Sequence, residues 1–100
     1  MANEPYRHRP DGIVLNPGDW LSIEGLGVGR FSGCWHNPDL GYICSLTYYR
    51  KFSDPGQRTT LWSGDLRTPG NLLDRAERVT GPMKANGKRP APLPPPGGLH

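Results

Sequence analysis

Two strand-like runs around one cluster of turn formers occupy the centre of the chain. The first runs Gly29-Arg-Phe-Ser-Gly-Cys-Trp-His, the break is Asn37-Pro-Asp-Leu-Gly, and the second begins Tyr42-Ile-Cys-Ser-Leu-Thr-Tyr-Tyr. Runs rich in aromatic, β-branched and small residues on either side of Asn, Pro, Asp and Gly read as a β-hairpin. With residues 37–41 as the loop, His36 faces Tyr42, Trp35 faces Ile43 and Cys34 faces Cys44. Strand alternation then predicts Cys34, Cys44, Leu46 and Tyr48 on one face, and Phe31, Trp35, Ile43 and Tyr49 on the other. Apolar residues on both faces predict a ribbon covered on both sides, as in a small barrel that curls over its own core.

The flanking segments extend this reading. Asn16-Pro17-Gly18-Asp19 suits a type II turn, because Pro presets φ at one central position and Gly takes positive φ at the next. Trp20 to Glu24 alternates as a half-buried strand does, with Leu21 and Ile23 on one side. Ile13 to Leu15 is long enough for an edge strand, and Arg58 to Ser63 returns as another strand beyond the turn cluster at residues 53–57. Asn71 to Arg78 fits a short helix with Asn71 as N-cap, or equally one helical turn followed by a closing strand around Ala76 to Thr80. Four or five short strands separated by turn signals predict an all-β fold. At this size a closed five-stranded antiparallel barrel removes exposed edges. Its expected core includes Ile13, Leu21, Ile23, Phe31, Trp35, Ile43, Leu61 and Val79.

The boundaries follow from composition. Residues 1–12 are polar with no periodicity and are expected to form a flexible N-terminal arm. Residues 13–80 make the barrel. Residues 81–100 carry six of the twelve prolines and four of the fourteen glycines, and predict a disordered, basic tail. The N-terminus lacks the apolar segment of a signal peptide, and no run approaches the roughly 18 apolar residues of a membrane span. A cytoplasmic protein with no membrane partner is the expectation.

Asn16-Pro-Gly-Asp-Trp-Leu-Ser-Ile-Glu-Gly, followed by Gly29-Arg-Phe and a Trp-containing hairpin, resembles the small SH3-like, KOW-like barrels found in short proteins of actinobacterial phages. The resemblance spans roughly residues 13 to 80. It implies a five-stranded SH3-like barrel without catalytic residues, encoded by a phage and acting in the host cytoplasm. The Pro-rich tail lies outside it.

Charge argues against a nonspecific phosphate binder. The formal net charge is +3, and the excess resides in Lys84, Lys88 and Arg89; between residues 12 and 81 seven bases meet seven acids. A folded surface without net field attracts nucleic acid only through a local arrangement of cations. The best local candidate is the second hairpin tip, where Tyr48, Tyr49, Arg50, Lys51, Phe52 and Arg58 combine stacking faces with cations. That cluster defines the nucleic-acid alternative to a protein partner, and a virion accessory subunit is a third reading. In the tail, Arg89, Pro92 and Pro95 have the spacing with which polyproline II segments dock into aromatic grooves, although a spacer explains the same residues.

Cys34 and Cys44 face each other and admit three states. A pair of buried thiols kept reduced is favoured in a cytoplasmic protein, a disulfide is the second, and a zinc site using Cys34, His36 and Cys44 lacks a fourth ligand. A Cys–His dyad would depend on His36, and nothing supplies an orienting carboxylate or an oxyanion hole. Gly25-Leu-Gly-Val-Gly precedes no helix and so reads as a tight strand connection rather than a phosphate cradle. The chain is therefore read as a non-enzymatic binding module without cofactor, engaging an unidentified protein through its loops and hairpins.

Overall fold

The computed structural model describes residues 3–49, 58–82 and 88–94. Five antiparallel strands form one sheet: β1 (Trp20–Ile23), β2 (Gly27–Asn37), β3 (Gly41–Tyr49), β4 (Arg58–Ser63) and β5 (Glu77–Val79). Their spatial order is β4-β3-β2-β1-β5, so consecutive strands pair through β4 and the chain then returns to place β5 beside β1. The sheet is all-β and antiparallel as expected, and its two ends, β4 and β5, do not pair with each other.

The turn chemistry behaves as the residues dictate. Gly18 takes φ +96° and Asp19 N–H donates to Asn16 C=O at 3.0 Å, closing the turn into β1. Leu21 and Ile23 point into the core, whereas Trp20 pairs with the exposed Arg30 on the opposite face. The central hairpin has the expected register at its tip: Cys34 opposite Cys44, Trp35 opposite Ile43, His36 opposite Tyr42.

Further from the tip the expected faces change over. Phe31 pairs with Leu46, so Ser32 and Gly33 together oppose the single residue Ser45. A β-bulge of this kind inserts one residue, sharpens the twist and reverses the alternation beyond it. Phe31 therefore joins Cys34, Cys44 and Leu46 in the core rather than sharing a face with Trp35. Trp35 in turn is half-buried on the outer face, not in the core. Ile43 and Val79 are buried, but outside the main cluster; Ile13 packs half-buried against it, and the side chain of Leu61 lies outside the described residues.

The bulge also receives the N-terminal segment, which is not a free arm. Asn3 crosses directly over Gly33, and Glu4 exchanges two 2.8 Å backbone hydrogen bonds with Cys34. Tyr6 exchanges two more with Leu15 at 2.8 and 3.0 Å, and its side chain is fully buried. The segment thus continues the sheet beside the part of β2 that β1 does not reach. A signal for this was present: Tyr6 is the one large aromatic of the first eleven residues.

Residues 71–76 form a single turn rather than a helix. Asn71 Oδ1 accepts from Leu73 and Asp74 N–H at 2.8 and 3.2 Å, the expected cap, and three backbone bonds from residues 74–76 reach three positions back. The closing strand β5 follows directly. Leu66, Leu73 and Ala76 from this region complete the core around Tyr6, Leu15, Leu21, Ile23, Phe31, Tyr42 and Leu46.

Part of the proline-rich tail is attached to the sheet. Thr80 N–H donates to Ala91 C=O, and Leu93 N–H donates to Arg78 C=O, both at 2.9 Å, so residues 91–93 lie along the outer edge of β5. Pro90, Pro92 and Pro94 alternate with these residues. Pro92, between the two bonded residues, occupies a position whose N–H would point away from the sheet, where a proline costs no ladder bond. The added segment is one-sided: it bonds to β5 and offers no outward donor at its prolines.

Gly33→Ala tests the crossing of the N-terminal segment. Gly33 has φ +105°, and an added Cβ would stand 2.5 Å from Asn3 Cβ. Strain and collision together are expected to cost about 1–3 kcal/mol in urea unfolding. Gly64, which has no neighbour within 4 Å of an added Cβ, should accept alanine within about 0.5 kcal/mol. Equal tolerance at the two positions would show that residue 3 does not cross residue 33.

Candidate functional site

The outer face of the sheet carries the exposed aromatic surface. Trp35 on β2 and Trp62 on β4 meet edge to face, with ring centroids 5.1 Å apart and planes at 88°. Because β3 separates their strands, the pair reaches across it. The β3 residues below, Ile43 opposite Trp35 and Ser45 opposite Trp62, are consequently buried although they point away from the core. Trp62 is itself 55% exposed. The neighbouring row across the sheet runs Val79, Trp20, Arg30, Thr47, Thr60 from β5 to β4, and of these Arg30 and Thr60 are exposed. All three tryptophans of the chain thus belong to the outer face.

The hairpin-tip cluster expected from sequence is placed only in part. Tyr48 pairs with Thr59 and Tyr49 with Arg58, so the ladder brings one aromatic and one cation of the cluster opposite each other. Arg50, Lys51 and Phe52 lie outside the described residues, as does Pro95 of the tail motif. Pro92 bridges Val79 on the edge of β5, and Arg89 lies just ahead of this contact and is exposed. Sequence reasoning missed the Trp35–Trp62 pair. The residues were visible, but their contact depends on β4 lying next to β3 in a register that puts Ser45 opposite Trp62.

The cysteines sit on the inner face. Both thiols are free and fully buried. Cys34 exchanges its backbone hydrogen bonds with Glu4, on the side of β2 away from β3. The Cys34–Cys44 pair is therefore a non-hydrogen-bonded one, the kind in which facing side chains approach most closely. Burial pushes Cys34 up to about 12 from its ordinary 9.0, and Cys44 likewise to about 12. This is the environment of inert thiols rather than nucleophiles. His36 rests its ring on Tyr42 with centroids 5.1 Å apart, and His8 meets the same tyrosine at 5.6 Å. Among the described residues no three His, Cys, Asp or Glu side chains group as a metal site, so Cys34, His36 and Cys44 do not make one.

Two open clefts border the turn region. One of about 260 Å³ is lined by Arg9, Arg75, Glu77 and Arg78 among others, and one of about 360 Å³ by Asp11, Ile13, Asn16 and Arg78 among others. The first gathers three arginines around one acid, and the second holds one charge of each sign. The Arg9 guanidinium donates to Leu73 and Ala76 C=O at 2.6 and 2.7 Å and pairs with Asp11 at 2.7 Å, while Arg78 Nε stands 3.5 Å from Asp19 Oδ2. These arginines fasten loops to the sheet.

Compared with protein-family models, with curated proteins and with solved structures, the chain matches none. Among the described residues no helix is long and apolar enough to cross a membrane.

The buried acids generate an alkaline transition. Burial, and next the hydrogen bond given to Asp74, push Tyr6 up to about 12 from its ordinary 10.0, alongside the two thiols at about 12. Tyr42 is raised for the same reason, burial. A folded-state pKa above the unfolded one stabilises the fold below the unfolded value and loses that contribution as pH climbs to the folded one. The melting temperature is therefore expected to hold up to about pH 9 and fall between about pH 9 and 12. Tyr6→Phe should flatten the part of the decline above about pH 10. A melting temperature constant to pH 12 would mean that these groups are not buried together.

Proposed function

We propose that the chain is a non-enzymatic protein-binding module built on a small SH3-like barrel scaffold. The observation that carries the reading is the Trp35–Trp62 pair, a large apolar surface held rigidly on the outer face with Trp62 55% exposed. Interface centres are enriched in aromatic residues and in arginine, and an anchor already fixed by packing loses little entropy on binding. Arg30 supplies the neighbouring cation, and Thr47 and Thr60 add small polar groups beside it. The scaffold reading is supported by the return of β5 to β1 and by the bulge at Ser32–Gly33, which adds curvature to the strand common to both halves of the sheet.

A protein partner is favoured over nucleic acid on charge. Of the described arginines of the turn region, Arg9, Arg67 and Arg78 are engaged with carbonyls or carboxylates, and the segment from residue 12 to 81 has no net charge. Phosphate affinity rests on uncommitted Lys and Arg.

A photo-reactive phenylalanine derivative placed at exposed Arg30 tests this in the cells that make the protein. The expected result is a discrete protein adduct that Trp62→Ala reduces at least about tenfold, without loss of melting temperature. Parallel titrations of the full chain with single- and double-stranded DNA and RNA should show no binding at physiological salt. Micromolar binding to nucleic acid that weakens steeply with salt, and that is lost in the same Trp62→Ala variant, would replace the protein-partner reading.

A further inference from the structure

The two edges of the sheet are treated differently. Residues 91–93 cover β5, and prolines alternate along the outward side of that cover. Among the described residues none covers β4, and Arg58-Thr-Thr-Leu-Trp-Ser contains no proline, no lysine and no acid.

Hydrogen-bond parity shows which β4 groups are unspent. Cys34 bonds to Glu4 and Phe31 to Gly18 and Asp19, on the side of β2 away from β3. Cys34–Cys44 and Phe31–Leu46 are therefore non-hydrogen-bonded pairs, and Cys44 and Leu46 direct their backbone groups toward β4. Tyr42, of the same parity, accepts from Leu66 N–H at 2.7 Å on that side. The β4 partners Ser63 and Leu61 thus bond inward to β3, while Arg58, Thr60 and Trp62 direct their N–H and C=O groups outward. Among the described residues none bonds to the backbone of Thr60 or Trp62.

We propose that this edge pairs with β4 of a second copy of the chain, antiparallel and centred on Thr60. The strand is self-complementary in that register. Thr60 meets Thr60 across the two-fold axis, and Arg58 and Trp62, each two residues from it, meet each other on both sides. No like charges stand opposite, and each outward position faces an outward position, giving about six ladder hydrogen bonds. Shifting the centre to Leu61 removes the Arg58–Trp62 match and leaves about four such bonds. The result is a sheet continuous through both copies, ended on each side by its proline-bearing segment. The contact is smaller than a standard interface, so a monomer–dimer equilibrium with a Kd on the order of 100 µM is expected. This inference shares Trp62 and Thr60 with the proposed protein-binding face but is read from the oligomeric state of the chain alone, so the two fail separately.

Sedimentation velocity on the full chain from about 10 µM to 1 mM should show concentration-dependent dimer. Amide exchange at Thr60 and Trp62 should slow with concentration while that of Leu61 is unchanged. Thr60 is exposed and opposes its own copy, so Thr60→Lys and Thr60→Glu should each be folded and monomeric. Their equimolar mixture should dimerise again, because Lys then stands opposite Glu. A wild-type protein monomeric at 1 mM, single variants that dimerise as wild type does, or a mixture that stays monomeric would each overturn the proposal.

Discussion

The Tyr6 hydroxyl holds together parts of the chain that no strand pairing connects. It donates to Asp74 Oδ1 at 2.7 Å and accepts from Asn71 Nδ2 at 2.9 Å, and Asn71 also donates to Leu66 C=O at 2.6 Å. A ring buried this completely contributes a large apolar area, and its hydroxyl demands partners that water cannot supply. Asn71 and Asp74 meet that demand only because the turn over residues 71–76 folds back against the N-terminal segment. Asp74 also accepts from Gly70 N–H at 3.0 Å, which fixes the same turn from its other end. Removing the hydroxyl would take the donor from Asp74 Oδ1 and one acceptor from Asn71 Nδ2, at a cost of about 1–3 kcal/mol. The position of β5, which begins immediately after this turn, depends on the same network.

How far this was legible in the sequence depends on whether the cause was local. The hairpin register from Cys34 to Gly41, the turn at Pro17-Gly18, strands β1 and β4 and the Asn71 cap follow from neighbouring residues and were all readable. The bulge was not. Gly33 looks like any strand glycine, and its role emerges only because Asn3 needs the space a side chain would fill. One inserted residue then moved Phe31 into the core and left Trp35 outside it, although both were expected to share a face. The N-terminal segment was misjudged for a related reason: low apolar content marks a segment as unable to fold alone, yet one aromatic suffices when a finished sheet offers it a socket.

The tail shows the same effect of context in the other direction. Alternating proline is a signal for an extended segment, and residues 91–93 are extended. What composition does not reveal is that alternation gives such a segment two different sides. With Ala91 and Leu93 bonded to β5, the prolines fall where a donor would otherwise invite another strand. A motif that reads as a ligand for aromatic grooves, Arg89 and Pro92 included, is partly occupied in protecting the sheet it belongs to.

That division of labour bears on where function can reside. The inner face is filled by the core cluster, its thiols are driven toward inertness by burial, and the Tyr6 hydroxyl is committed to joining segments. Arg9, Arg67 and Arg78 are likewise engaged in structural bonds or ion pairs. The outer face is organised on other terms. Trp62 remains 55% exposed even after packing on Trp35. Large apolar surface held rigid and left uncovered is the arrangement in which binding energy is gained with little ordering cost. The core, the arm and the capped edge are accounted for by stability, and recognition is the reason we propose for this face.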